Sequence, residues 1–138
     1  MRFMAWHVDY VKAIPADKGR SEIIENAEEV YAKDALLLFI NFEKADEAKK
    51  AEVLDKAEAE ISKIAASVGA KTIVLNPFAH LFAEPCSLSA AVEMINKLYI
   101  DMQGKGFEVY KLAFGRYYEL ELKAKGHKLA RISRIIDA

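Results

Sequence analysis

The sequence predicts an α/β fold in which strands and helices form one layered domain. The chain has 138 residues, a length that suits a single compact domain. Residues 35–42 form a nearly unbroken apolar run, which is typical of a strand buried on both faces. Residues 45–68 then change to a helical spacing of apolar side chains. A buried strand followed directly by a long amphipathic helix favours the α/β class.

The first elements are a strand, an ambiguous segment and a second strand. Residues 2–8 are mostly apolar and predict a strand that ends at Asp9 and Tyr10. Residues 12–33 fit either a strand or a helix, because proline and glycine interrupt them and no single period dominates. The apolar run at 35–42 is the second strand.

The next predicted strand lies between two predicted helices in the sequence. The helix at 45–68 is followed by Gly69, a residue suited to the left-handed conformation that ends many helices. Residues 71–75 predict a short strand. Ser87 is a suitable N-cap for a second amphipathic helix, which ends at Gly104.

The last third of the chain predicts a β-hairpin. Residues 107–114 are extended, Gly115 and Arg116 turn the chain, and residues 117–124 alternate as a half-exposed strand does. The segment at 129–136 fits either a helix or a strand.

Charge and missing motifs narrow the classes of function. The net charge is −1, but residues 1–104 carry −5 and residues 105–138 carry +4, which weakly favours a polyanionic partner. The single cysteine, Cys86, has no partner for an internal disulfide, so we expect an intracellular, cytoplasmic protein. No apolar run is long enough to cross a membrane. The sequence lacks the spacing of zinc sites, P-loops, Rossmann loops and nucleophile elbows, and we expect no metal site.

The loop at 76–82 is the first candidate site. It follows a strand and precedes a helix, and ligands of open α/β sheets bind beside the carboxyl ends of strands. Pro77 restricts the backbone there, and His80 is a candidate proton carrier. A loop histidine that is satisfied by its own backbone neighbours is the simpler interpretation.

Three further residues are weaker candidates. His7 is placed at the end of the first strand, and His127 is placed in a turn, so ordinary structural roles explain both. Cys86 lies beside a proline at a helix start, where its pKa would be lowered, but a buried or idle thiol is the simpler interpretation.

An aromatic and basic segment is the second major candidate. Phe114, Tyr117 and Tyr118 are followed by several cationic side chains, a combination that suits phosphates and unpaired bases. The isoelectric point near 6.3 argues against a general nucleic-acid binder but fits a site for one single-stranded end. Ordinary hairpin packing with surface lysines is the alternative.

Four motifs, taken in order, resemble one family. They are Trp6–Tyr10, Phe39–Glu47, Pro77–Leu81, and Ala113–Gly115 together with Lys125–His127. Over nearly the whole chain they resemble the N-terminal editing domain of archaeal threonyl-tRNA synthetases. The resemblance implies a single-domain D-aminoacyl-tRNA deacylase-like fold over residues 1–138, with a mixed sheet, two main helices and usually a homodimer.

The resemblance also implies an activity, the proofreading hydrolysis of the ester of Ser-tRNA(Thr). A synthetic site built for threonine gains only about 1–3 kcal/mol from the extra methyl group, so a second pocket that excludes the methyl is needed. The implied partners are the 3′ end of tRNA(Thr) carrying serine and a synthetase catalytic domain, fused or separate. No cofactor is implied, because the ribose hydroxyl of the terminal adenosine assists the attacking water.

Site residues carry over by position. Main-chain groups of Pro77 and Ala79 would contact the seryl group, while Phe42 and Phe114 would shape the pocket. The implied catalytic residues are His80, Tyr117, Tyr118 and Glu119. The implied substrate-binding residues are His7, Phe42, Pro77, Phe78, Ala79 and Phe114. The implied tRNA-binding residues are Arg116, Lys123, Lys125, His127, Lys128 and Arg131.

The chain departs from the family's pattern at two positions. The lysine of the family's Phe-Gly-Tyr-Tyr-Lys motif becomes Tyr118, or Glu119 if one residue is inserted. The glutamate that ends the Lys-Gly-His motif becomes Arg131. We therefore expect an active but divergent version of a crenarchaeal type. The alternatives are a D-aminoacyl-tRNA deacylase and a catalytically silent module for tRNA binding or dimerisation.

Overall fold

A computed structural model describes residues 1–18, 25–78 and 84–137. A 3₁₀ turn at Lys44–Lys49 leads into the first of two long helices. The helices are α1 (Lys50–Val68) and α2 (Leu88–Gly104). The strands are β1 (Arg2–Lys18), β2 (Val30–Asn41), β3 (Thr72–Pro77), β4 (Glu108–Lys111), β5 (Arg116–Ala124) and β6 (Arg131–Ile135).

The strands form one mixed sheet with the order β4-β3-β2-β1-β5, and β6 also pairs with β1. The β2–β3 and β3–β4 pairs are parallel, whereas β1 is antiparallel to β2, β5 and β6. Each parallel pair is joined through a helix, as parallel strands require. The predicted α/β class with a mixed sheet and two main helices is confirmed.

Strand β2 is buried on both faces, as predicted. Leu36 and Leu38 belong to the core between the sheet and the two helices, whereas Ala35 and Leu37 belong to a second core on the opposite face. All four are fully buried. The second core also contains Leu112, which follows β4, so side chains from both ends of the strand order meet inside a curled sheet.

Both helix boundaries follow from local signals. Gly69 ends α1 with φ 72°, and its N–H donates to the carbonyl of Ala66. The side chain of Ser87 accepts a hydrogen bond from the N–H of Ala90 at 3.3 Å and so begins α2. The predicted start of the first helix is corrected, because residues 44–49 form the 3₁₀ turn.

The predicted end of the first strand at Asp9 and Tyr10 is wrong. β1 continues to Lys18 because β2 and β5 pair with it along this part, which supplies backbone partners that local sequence does not reveal. Pro15 lies two residues beyond Ala13, where the pairing with β2 ends, and the pairing with β5 shifts register directly after it.

The predicted hairpin is also wrong. β4 pairs with β3 and β5 pairs with β1, so the two strands lie at opposite ends of the order. α2 returns the chain to the side of β3, and this long-range pairing outweighs the local turn at Gly115. The ambiguous segment at 129–136 contains β6, which pairs with the first part of β1.

The short third strand is longer than predicted. β3 continues through Asn76 to Pro77, which lies opposite Ile40 of β2. A proline is acceptable at this last position because no further ladder bond is required of it.

Candidate functional site

The carboxyl ends of three parallel neighbours, β2, β3 and β4, meet at one edge of the sheet. We call this region the carboxyl edge and define it by Phe42, Pro77, Phe78 and Phe114. Phe42 and Phe114 are both buried in the helix-side core, while Phe78 is 45% exposed. Ala79 and His80, which continue the predicted loop, lie outside the described residues.

Backbone hydrogen bonds hold the carboxyl edge in place. The N–H of Phe78 donates to the carbonyl of Ile40 at 2.7 Å, and the N–H of Cys86 donates to the carbonyl of Phe42 at 3.1 Å. The N–H of Phe114 donates to Glu25 Oε1 at 2.9 Å, and the N–H of Glu25 donates back to the carbonyl of Phe114 at 3.0 Å. Hydrogen bonds therefore hold the main chain of the carboxyl edge beside two buried aromatic rings.

The start of β5 brings tyrosines near this edge. Tyr117 is 64% exposed and follows Phe114 by three residues, so their Cα atoms lie within about 11 Å. The hydroxyl of Tyr118 accepts a hydrogen bond from the N–H of Ala113 at 2.7 Å, which leaves its own proton free to donate. Glu119 is exposed and lies opposite Ile14.

Cys86 lies beside the carboxyl edge, but its thiol is poorly suited to nucleophilic chemistry. Burial, followed by the charges of Glu47 and Asp46, raises the pKa of Cys86 to about 11. The thiol is therefore protonated near neutral pH, in agreement with the interpretation of an idle thiol.

A second group of polar side chains lies on β1, β2 and the end of β5. We call it the histidine cluster, and its members are His7, Asp34, His127, Lys125 and Asp9. His7 is buried and lies between Asp34 and His127. Its Nε2 is 2.9 Å from Asp34 Oδ1, and its Nδ1 is 2.9 Å from His127 Nε2. The cluster forms where the pairing partner of β1 changes from β6 to β5.

The hydrogen bonds of the histidine cluster fix both tautomers. The N–H of Leu129 donates to His127 Nδ1 at 3.2 Å, so neutral His127 carries its proton on Nε2. That proton is donated to His7 Nδ1, which places the proton of His7 on Nε2, facing Asp34. The turn at 125–129 is thereby attached to the middle of β1.

Ion pairs complete the histidine cluster. Lys125 Nζ lies 2.8 Å from Asp9 Oδ1 and 3.4 Å from Asp34 Oδ1. The hydrogen bond to Lys125 lowers the pKa of Asp9, and the bond to Asp9 raises the pKa of Lys125. Burial alone would raise the pKa of Asp34, but hydrogen bonds from His7 and Lys125 outweigh it and lower the pKa. Asp34 has φ 47°, an uncommon value for a residue with a side chain.

The structure does not bring His7 to the carboxyl edge. His7 lies opposite Leu36, four residues before Ile40, which is the residue opposite Pro77. Four residues of strand correspond to about 13 Å. The predicted place of His7 at the end of a strand is therefore wrong, because β1 continues for eleven residues beyond it. Its role in substrate binding stays a prediction.

The other predicted basic residues have different environments. Lys123 is exposed and lies 3.8 Å from Asp9, whereas Lys125 is committed to two carboxylates. Lys128 is exposed. Arg116 is half-buried, and its Nε has no hydrogen-bond partner among the described residues.

The two positions of family departure also lie apart. Tyr118 lies opposite Pro15, and Arg131 lies opposite Trp6, nine residues away on the same strand β1. A single copy of the chain therefore does not join the two positions into one site.

Sequence reasoning missed Asp9 and Asp34. The only signal was the polar pair of Lys33 and Asp34 just before an apolar run. Their partnership depends on strand pairing, which no local pattern reveals. Among the described residues, no three His, Cys, Asp or Glu side chains are arranged to hold a metal ion. Within the same ranges, no helix is long and apolar enough to span a membrane.

The curled mixed sheet with two helices on one face defines a D-aminoacyl-tRNA deacylase-like fold. The solved structure of the c-Myc DNA Unwinding Element Binding Protein matches it with a TM-score of 0.70, covering 100% of both chains at 11% identity. At this identity the likeness establishes the fold alone.

The family follows from sequence. The chain belongs to the family described as the Archaea-specific editing domain of threonyl-tRNA synthetase, which matches residues 1–136. The predicted resemblance is thus confirmed. The chain is 37% identical to the threonine–tRNA ligases of Pyrococcus horikoshii and Thermococcus gammatolerans over 139 aligned positions, and 37% identical to that of Nanoarchaeum equitans over 140. Each alignment covers 99% of this chain and 22% of the relative.

Proposed function

We propose that this chain hydrolyses the ester of Ser-tRNA(Thr) and spares Thr-tRNA(Thr). Membership of the editing-domain family supports a proofreading role. The observation that carries the finer proposal is the carboxyl edge, where Phe42 and Phe114 are buried and their main chains are held by hydrogen bonds. Rejecting a substrate for one extra methyl group requires walls that do not yield, and buried aromatic rings with fixed backbones provide them.

The proposed reaction needs little side-chain chemistry from the protein. A water molecule attacks the ester carbonyl carbon, the bond from that carbon to the ribose oxygen breaks, and the ribose oxygen takes a proton. Serine and free tRNA are the products. The free hydroxyl of the terminal ribose positions the water, and the chain orients the ester against the carboxyl edge.

Individual residues have limited roles in this proposal. Main-chain groups of Pro77 and Ala79 hold the seryl group, and His80 stands beside it. The hydroxyl of Tyr118 retains a proton to donate, which suits a developing oxyanion. Tyr117 is exposed where the terminal adenosine would enter. No metal or cofactor takes part.

The wider setting is also a proposal. The chain spans 22% of the length of the curated relatives that it matches. We therefore propose that it acts with a synthetase catalytic domain, fused or separate, which supplies mischarged tRNA. We also propose a homodimer located in the cytoplasm.

The decisive experiment follows ester loss from Ser-tRNA(Thr), Thr-tRNA(Thr) and a D-aminoacyl-tRNA in parallel. We expect selective release of serine. Selective release of the D-amino acid would replace the proposal with D-aminoacyl-tRNA deacylation, and no acceleration with any substrate would leave a silent tRNA-binding or dimerisation module.

A second experiment tests the mechanism. Ser-tRNA(Thr) that ends in 2′-deoxyadenosine should not be hydrolysed, whereas His80→Ala and Tyr117→Phe should reduce the rate only modestly. Full turnover of the deoxy substrate would refute assistance by the ribose hydroxyl.

A further inference from the structure

Tyrosines and lysines gather on the outer surface of three neighbouring strands. In β1, Tyr10 lies opposite Lys33 of β2 and Lys123 of β5. Two residues further along β1, Lys12 lies opposite Tyr31 of β2 and Glu121 of β5. We call these two adjacent rows the tyrosine–lysine surface. It unites positions that are more than a hundred residues apart in the chain, and none of them belongs to the carboxyl edge.

Alternation along the strands turns these side chains outward. Val11 and Ala13 of β1 and Ala32 of β2 are buried in the second core, so the residues between them face away from it. Tyr31 is 52% exposed, and the side chain of Lys123 is 71% exposed.

The surface has the geometry of a stacking platform. The rings of Tyr10 and Tyr31 are stacked, with centroids 6.3 Å apart and planes at 29°. Lys33 Nζ lies 5.9 Å from the centroid of the Tyr31 ring. Lys33 and Lys123 flank Tyr10 on both sides, since they lie opposite it on strands whose backbones are separated by about 10 Å.

We propose that the tyrosine–lysine surface binds single-stranded RNA, with unpaired bases on the tyrosine rings and phosphates at the lysines. This inference rests on the proposed function, which makes tRNA the partner. The two rows carry three lysines and one glutamate, a local charge of +2 on a chain whose total is −1. Aromatic rings between cations suit unpaired nucleotides. Protein–protein interfaces, in contrast, are depleted in lysine.

The first test removes a ring while keeping an apolar side chain. The probe is a fluorescein-labelled ten-nucleotide RNA that ends in CCA, and binding is followed by fluorescence anisotropy. Tyr31→Leu should weaken binding at least about five-fold, the effect of losing one base–aromatic stack. Tyr31→Phe, which retains the ring, should bind as the unmodified chain does.

The second test removes charge. Lys33→Gln should make the logarithmic salt dependence of binding shallower by about 1. The matched control is Lys63→Gln, which removes an exposed lysine of α1 that does not belong to the tyrosine–lysine surface. Equal effects of the two variants would overturn the proposal, because they would show a diffuse charge effect.

Light scattering and ester hydrolysis measured on the same variants separate the remaining outcomes. If Tyr31→Leu changes the oligomeric state instead of RNA binding, the surface joins two copies and the proposal is wrong. If Tyr31→Leu binds RNA normally while the unmodified chain hydrolyses Ser-tRNA(Thr), only this inference fails. If the unmodified chain shows the predicted binding pattern without hydrolysis, the surface stands and the proposed function fails.

Discussion

The carboxyl edge and the histidine cluster use opposite means of holding their residues. At the carboxyl edge, Phe42 and Phe114 are buried aromatic rings fixed through main-chain hydrogen bonds. In the histidine cluster, His7 is fixed through side-chain hydrogen bonds to Asp34 and His127. The two regions lie apart on the sheet, although sequence analysis assigned residues of both to one function.

The difference teaches that the histidine cluster connects distant segments of the chain, whereas the carboxyl edge is the region proposed for ester hydrolysis. The histidine cluster has the denser polar network, but every ring nitrogen in it already has a partner. The carboxyl edge has fewer polar side chains, yet it adjoins the loop that carries Ala79 and His80. A region rich in histidine is therefore explained by strand pairing, while the proposed ester site depends on rigid walls.

The largest expected effect concerns the carboxyl edge. Phe114→Ala should lower the free energy of unfolding by about 3–5 kcal/mol, because a buried ring is replaced by a cavity. Urea denaturation measures the change. Tyr117→Ala, three residues away and 64% exposed, should change it by no more than about 0.5 kcal/mol. Similar losses for both variants would contradict this prediction, because they would show that the buried ring of Phe114 stabilises the fold no more than the exposed ring of Tyr117.

A buried acid outside both regions provides the next prediction. Glu58 of α1 is 6% exposed, and burial together with the hydrogen bond to Asp101 raises its pKa to about 7. The charge of Asp101 adds to this shift, while Lys105 and Lys97 oppose it. The folded chain therefore keeps a proton that the unfolded chain loses above its ordinary pKa of 4.5.

The stability contribution of protonated Glu58 is thus fully present below pH 4.5 and is lost as the pH rises to about 7. Urea midpoints across this range should fall for the unmodified chain and remain flatter for Glu58→Gln. The lowered pKa of Asp101 acts in a different range, below its ordinary value of 3.8. If Glu58→Gln leaves the decline unchanged, Glu58 is not its source and the prediction is wrong.

A smaller effect is expected in the histidine cluster. His7→Phe keeps the ring volume but removes the two hydrogen bonds to Asp34 and His127, so the free energy of unfolding should fall by about 1–3 kcal/mol. His127→Asn retains an acceptor for the N–H of Leu129 and should cost less, because His127 is exposed. Nitrogen NMR shifts of His7 should report protonation at Nε2 in the unmodified chain; protonation at Nδ1 would contradict the fixed tautomers.

The smallest effect distinguishes two neighbouring lysines. Lys125→Gln should leave the salt dependence of tRNA binding nearly unchanged, because Lys125 is already paired with Asp9 and Asp34. Lys123→Gln should reduce the logarithmic slope by about 1, since its side chain is 71% exposed. Equal slopes for the two variants would show that the ion pairs do not withhold Lys125 from RNA.

Local signals were sufficient where one segment contains all of the information. The apolar run of β2, the glycine that ends α1 and the serine that begins α2 each act within a few residues, and the structure confirms all three. The ordered motifs likewise identified the family, because a motif is a property of the chain itself.

Pairing between distant segments could not be predicted in the same way. Gly115 turns the chain as a hairpin would, yet β5 pairs with β1 and not with β4. The same pairing places Tyr10 beside Lys123 and joins His7 to His127. These partners are over a hundred residues apart, so no local period relates them.

The sequence by itself determined the α/β class, both helices, the doubly buried strand and the family. Those features depend on periodicity, capping residues and motif order, which are all encoded locally. Only the tertiary structure decided that β4 and β5 lie apart, that His7 is removed from the carboxyl edge, and that a tyrosine–lysine surface exists. The physical reason is that backbone hydrogen bonds between strands are nearly independent of side-chain identity, so strand order follows from how the whole chain buries its two cores.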